Sequence, residues 1–131
     1  MREAVQRITE RESMKEESKM FKVIEGSQLS SVEFVMDYVQ LRFDGPTLTV
    51  YNQPAVRTEH ETIKWGDVRF RNALCGLIAH IVSSTDVRRR EAAEIVFDNG
   101  SVFIVPLGWN DFRGPEALTF DAGGDFWVLQ Y

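Results

Sequence analysis

Apolar and polar residues alternate on either side of Asp44-Gly45, which marks residues 39–51 (VQLRFDGPTLTVY) as a β-hairpin. A two-residue Asp-Gly loop suits the primed turns that match strand twist. With that loop, Phe43 faces Pro46, Leu41 faces Leu48 and Val39 faces Val50 on an apolar side. The other side pairs Arg42 with Thr47, Gln40 with Thr49 and Tyr38 with Tyr51. One apolar face and one polar face specify the register. The logic recurs twice. Asn99-Gly100 predicts a second hairpin with Phe97 opposite Val102 and Ile95 opposite Ile104. Gly123-Gly124 predicts a third, with Phe120 opposite Trp127 and Leu118 opposite Leu129.

Upstream of these, residues 21–25 read as a first strand closed by Gly26, and residues 29–36 as a second with Val32, Phe34 and Met36 on one side. From Val39 onward the apolar positions switch from even to odd, which requires a bulge or a tight turn near Asp37. Asn52-Gln53-Pro54 breaks the strand that follows, and residues 56–65 (VRTEHETIKW) are polar enough for a loop or an edge strand. Phe70, Ala73, Leu74, Leu77, Ile78, Ile81 and Val82 then repeat at helical spacing behind Asp67, an N-cap residue type. They predict an amphipathic helix over about residues 67–83. The expected architecture is α+β: an antiparallel sheet of about three hairpins with that one helix packed on one face.

Residues 1–19 differ in character. Ten of the nineteen are charged, five of each sign, and only Ala4, Val5 and Ile8 offer a short apolar stripe. A charged tail, partly helical or disordered, is expected there. Residues 20–131 form the single domain, a size that buries a proper core. The net charge of -5 and pI of about 5.0 disfavour nucleic acid and anionic membranes as partners. The single cysteine, Cys75, excludes an intramolecular disulfide and reads as a small buried residue. No run approaches the ~20 apolar residues of a membrane helix. The first residues lack the apolar core of a secretory signal, so the expected location is the cytoplasm.

Catalytic constellations are sparse. His60, between Glu59 and Glu61, has no second metal ligand at helical or hairpin spacing, so it reads as a solvated loop residue and a candidate contact. On the predicted helix His80 and Cys75 fall on opposite flanks, which excludes a Cys-His dyad. No Gly-x-Ser-x-Gly and no phosphate-binding glycine loop occurs. No metal or cofactor is expected. Arg88-Arg89-Arg90 reads as a solvated connection, with an anion contact as its functional alternative.

The most informative stretch is residues 106–120, PLGWNDFRGPEALTF, which sets Trp109, Asp111, Phe112, Arg113 and Glu116 in a loop between two hairpins. Loops carry function more often than strands, and Trp and Arg dominate binding hot spots. The structural reading competes: the aromatics plug the open end of the sheet and Arg113 pairs with Asp111 or Glu116. Asp111 and Glu116 are also the carboxylate types that acid–base work uses.

The segments FVMDYVQLRFDGPTLTVY, ALCGLI, FDNGSV and RGPEA, with a Trp near the end, resemble a family of small uncharacterised bacterial domains. In these a Gly-Pro-Glu-Ala segment precedes a tryptophan-containing last strand. The resemblance spans roughly residues 21–131 and implies no cofactor and no catalytic residue. Comparable small, acidic, β-rich bacterial proteins include immunity proteins of toxin systems, an analogy of fold. The expected function is therefore a non-enzymatic protein- or ligand-binding domain of immunity-protein type. The alternative is a small enzyme or small-molecule pocket built on the loop over residues 109–116. A protein partner is one expectation. A homo-oligomer through the polar face of Tyr38, Gln40, Arg42, Thr47, Thr49 and Tyr51 is another.

Overall fold

The computed structural model describes the backbone of residues 4–7 and all of residues 19–130. Eleven strands lie within them: β1 (Ala4–Arg7), β2 (Ser31–Val35), β3 (Tyr38–Arg42), β4 (Thr47–Val50), β5 (Ala55–Arg57), β6 (Thr62–Lys64), β7 (Val82–Arg88), β8 (Ala92–Phe97), β9 (Val102–Pro106), β10 (Glu116–Asp121) and β11 (Asp125–Gln130). They form a six-stranded sheet in the order β1-β11-β10-β4-β3-β2 and a five-stranded sheet in the order β6-β5-β9-β8-β7. Every pairing is antiparallel except that of β1 with β11. The expected N-terminal tail thus contributes β1; the remainder of residues 1–18 lies outside the described residues.

The fold is mostly β with a few short helical pieces, and its two sheets share one core. Leu41, Leu48, Val50, Leu118 and Phe120 from the larger sheet cluster with Val56, Ile95, Phe97, Phe103 and Val105 from the smaller one. The first and third hairpins have the expected registers. Leu41 faces Leu48 and Val39 faces Val50; Leu118 faces Leu129 and Phe120 faces Trp127. The parity switch before Val39 is a tight turn. Val35 pairs with Tyr38 across Met36-Asp37, and Met36 takes a φ of +41°. Residues 56–65 supply a fourth hairpin, β5–β6, with β6 at the sheet edge.

Three expectations are corrected. The helix is α1 (Phe70–Cys75), six residues long, and not an element spanning 67–83. Phe70, Leu74 and Leu77 are buried at helical spacing. Beyond Gly76, however, Ala79 adopts a φ of +79° and donates its N–H to Leu29 O, which ends the helical path. The β-branched run from Ile81 then enters β7, where Val82 bonds Ser27 and Gly26. The helical spacing of the last two apolar residues was coincidental. Residues 19–22 are helical, where a strand was expected, and three successive i→i+3 bonds continue from Met20. This path buries Met20, Phe21 and Ile24 together, which a period of two does not.

The second hairpin is shifted by one residue. Ile95 faces Phe103 and Val96 faces Val102, because the loop has three residues, with Gly100 left-handed at φ +86°. Gly100 N–H bonds Phe97 O, and Phe97 N–H bonds Ser101 O. This is a turn followed by an αL residue, the usual three-residue solution. The shift sends Phe103 and Val105 into the core and leaves Ile104 half-buried on the other face.

Asp67 closes the turn before α1. Its Oδ1 accepts the Arg69 backbone N–H at 2.8 Å, and its Oδ2 accepts from Arg69 Nη2 at 2.8 Å. These bonds, the side-chain ones first, hold its carboxyl at about 2, below its ordinary 3.8.

Two measurements check this architecture. Phe103→Ala is expected to cost about 3–5 kcal/mol in denaturant unfolding, and Ile104→Ala about 1 kcal/mol or less; the expected but unobserved register would reverse that order. The folded pKa of Asp67 is depressed, so its contribution is complete above about pH 4 and vanishes as pH falls through about 2. Acid titration of Asp67→Asn is expected to lack that increment, and added salt to shrink it in the parent, since Arg69 is exposed and Asp67 only half-buried.

Candidate functional site

The loop after β9 is anchored at both ends. Leu107 is buried, with its N–H on Glu91 O, and Phe112 packs half-buried against the core. Between them Trp109–Asp111 makes a single 3-10 turn. Asp111 N–H donates to Gly108 O at 2.9 Å, and Gly108 N–H donates to Asp111 Oδ2 at 2.9 Å. The two bonds close the turn from both directions and engage the Asp111 carboxylate. A Cβ at position 108 would lie 2.7 Å from Asp111 Oδ2, so any other residue there must push that carboxylate aside.

This turn presents Trp109, which is 53% exposed. The Arg90 guanidinium lies over its ring at 3.4 Å from the centroid. Arg90 reaches it from the β7–β8 turn, where it takes a φ of +68°. Stacking orders two large side chains together. Arg113 extends towards the β2–β3 turn, with Nη1 donating to Asp37 O at 3.3 Å and Nη2 at 3.9 Å from Asp37 Oδ2. Its partner is Asp37, and neither Asp111 nor Glu116 as the sequence suggested. A residue brought in across a sheet left no local spacing to read.

Arg113 stands on the wall between two concavities. On one side a hollow of about 220 Å³ is lined by Tyr38, Tyr51, Asp37 and residues 113–116. The Tyr38 and Tyr51 rings meet there at 5.4 Å. On the other side a groove of about 700 Å³ runs over the outer face of the five-stranded sheet, from Trp65 and Lys64 to Asn110, Asp111 and Arg113. Glu116 lines the first and Asp111 the second, so the two carboxylates do not converge. His60 is exposed in the β5–β6 turn, outside both, with its backbone N–H on Thr58 Oγ1 at 3.3 Å. The structure therefore brings Asp111 and Arg113 together in the groove lining, sets Trp109 on the same loop against Arg90, packs Phe112 against the core, turns Glu116 to the far side and leaves His60 apart.

Other singled-out residues take structural roles. Arg88 is engaged by Asp86, Glu91 and Glu94. His80 Nδ1 meets Asp98 Oδ1 at 2.7 Å, and this bond holds the Asp98 carboxyl below its ordinary range. Cys75 is exposed, contrary to expectation, because α1 turns only Phe70 and Leu74 inward. Among the described residues no cluster of three His, Cys, Asp or Glu gathers to hold a metal ion. No described helix is long and apolar enough to cross a membrane. The sequence placed Arg90 in a basic run read as a solvated connection, with an anion contact as its alternative, and gave no reading of Asp37, Lys64 or Trp65 as site residues. Of these only Trp65, a lone aromatic in a charged stretch, carried a local signal. No family model, curated protein or solved structure matches the chain.

Asp111→Ala removes the carboxylate from Gly108, and Gly108→Ala displaces the same carboxylate. Each is expected to cost about 1 kcal/mol, and the double variant little more than either alone, because both break one bond. Denaturant unfolding of the four proteins measures this.

Proposed function

We propose that this chain is a non-enzymatic protein-binding domain of immunity-protein type, with the ledge over residues 109–113 as its contact surface. The observation that carries the reading is Trp109, half exposed and stacked by Arg90, on the same loop as Arg113. Trp and Arg are the residues most enriched in binding hot spots. Holding them in place before contact reduces the ordering cost of association. The alternative, a small enzyme using Asp111 and Glu116, is weakened by their positions on different concavities and by the Gly108 bond to Asp111. Acid–base catalysis needs both groups within reach of one reacting centre.

Affinity capture from the native host with the tagged chain tests the reading. A stoichiometric protein partner is expected, and Trp109→Ala should weaken its binding by roughly thirtyfold or more, the scale of a hot-spot residue. Arg42→Ala, on the larger sheet, should leave binding within about twofold. Retention of the partner by Trp109→Ala at parental affinity would overturn the proposal.

A further inference from the structure

The groove beside the ledge has a charge pattern that its surroundings lack. Its floor comes from the outer face of the five-stranded sheet, where Ala55 pairs with Ile104 and Lys64 lies across from Ala55. The other cations of this face are satisfied within the chain. Arg57 lies 3.7 Å from Glu94, and Arg88 Nη2 lies 3.0 Å from the same carboxylate. Just past β6, Arg69 is clamped by Glu61 and Asp67 at 2.9 and 2.8 Å. Lys64 is the exception: it enters no salt bridge among the described residues.

Across the groove Arg113 is positioned by its Nη1 bond to Asp37 O at 3.3 Å, with 3.9 Å between its Nη2 and the Asp37 carboxylate. The single carboxylate in the lining, Asp111, already accepts the Gly108 N–H. Lys64, Arg113 and Asp111 are the ionisable groups of the lining, so the groove carries +1 in a chain of net charge -5. The floor is Ala55, Ile104 and Pro106, with Lys64 on one margin and Arg113 beside Asp111 on the other, net positive. It complements an extended chain with acidic side chains: the sheet face meets its apolar residues, and Lys64 and Arg113 meet its carboxylates. We infer that this groove binds an extended acidic segment of the protein partner, with Lys64 and Arg113 as its carboxylate contacts. The inference rests on the protein-binding reading and names the chemistry that the partner must present.

The probe is an acetylated, amidated octapeptide of alternating Asp and Ala, with its Asn counterpart as control, titrated into the labelled full chain and followed by amide chemical shifts. The Asp peptide is expected to saturate and to move Ala55, Thr62, Ile104 and Asn110. The Asn peptide, and the Asp peptide with Lys64→Glu, should each bind roughly tenfold more weakly or less tightly still, with binding also falling as salt rises from about 50 to about 300 mM. Thermal melting of Lys64→Glu should match the parent, because Lys64 is exposed. Equal binding of the two peptides, shifts that map elsewhere, or indifference to Lys64→Glu would overturn the inference. So would glutarate competing at the peptide's own affinity, which would make the site one for a small acid. The capture experiment separates the two levels. A partner lost with Trp109→Ala but kept by Lys64→Glu removes the groove and leaves the protein-binding reading. A partner lost with both supports the two together, and one kept by both removes the reading itself.

Discussion

Phe103 and Ile104 are neighbours in the chain and lie on opposite sides of the five-stranded sheet, and that separation organises both the core and the groove. Side chains alternate strictly along a strand, so the register of β9 decides at once what is buried and what is offered to a ligand. Phe103 and Val105 fill the core with Ile95 and Ala93 opposite them. The same register sets Ile104 and Pro106 on the groove floor. A slip of one residue would bury Ile104 opposite Ile95 and turn the Phe103 ring outward, at a cost well above that of any surface contact. The groove is therefore held in place by the packing on its reverse side, and its floor needs no bonds of its own.

The fold was legible wherever turn chemistry and alternation agreed. Asp44-Gly45 has two residues to spend on its turn, and the register followed directly; Gly123-Gly124 gave the same result. Asn99-Gly100 misled because the Gly-ended turn there takes Asp98 as well, moving every pairing by one. That choice is made by Phe103 seeking the core, a tertiary effect that no dipeptide carries. The helix failed in a similar way. Phe70, Leu74 and Leu77 are truly periodic, but the chain after Gly76 is bonded to residues 26–29, some fifty positions upstream. Local spacing cannot anticipate a competitor for backbone hydrogen bonds that arrives from elsewhere.

The site was legible in part, for a related reason. Residue types in the loop announced Trp109 and Arg113, yet their partners, Arg90 and Asp37, come from turns in different sheets. These contacts convert a short loop into a fixed ledge. The anchors on either side matter as much: Leu107 and Phe112 tie the ledge to the core, and the reciprocal bonds of Gly108 and Asp111 close the turn between them. A loop built this way holds its aromatic and its guanidinium in one arrangement, which is what lowers the ordering cost of any association made through it.

Net charge and local charge also part company here. A value of -5 describes what the chain attracts from afar. Beyond a Debye length of about 8 Å at physiological salt that field is largely screened, and contact is decided by the charges within reach. Within the groove those are Lys64, Arg113 and an Asp111 already engaged by backbone. The surrounding carboxylates, Glu94, Glu61 and Asp67, are occupied by Arg57, Arg88 and Arg69. They neutralise the neighbouring arginines, and Lys64 enters no salt bridge among the described residues. An acidic chain can in this way keep a groove of net positive charge, because the carboxylates around it are engaged by arginines and the field of the rest of the surface is screened over that distance.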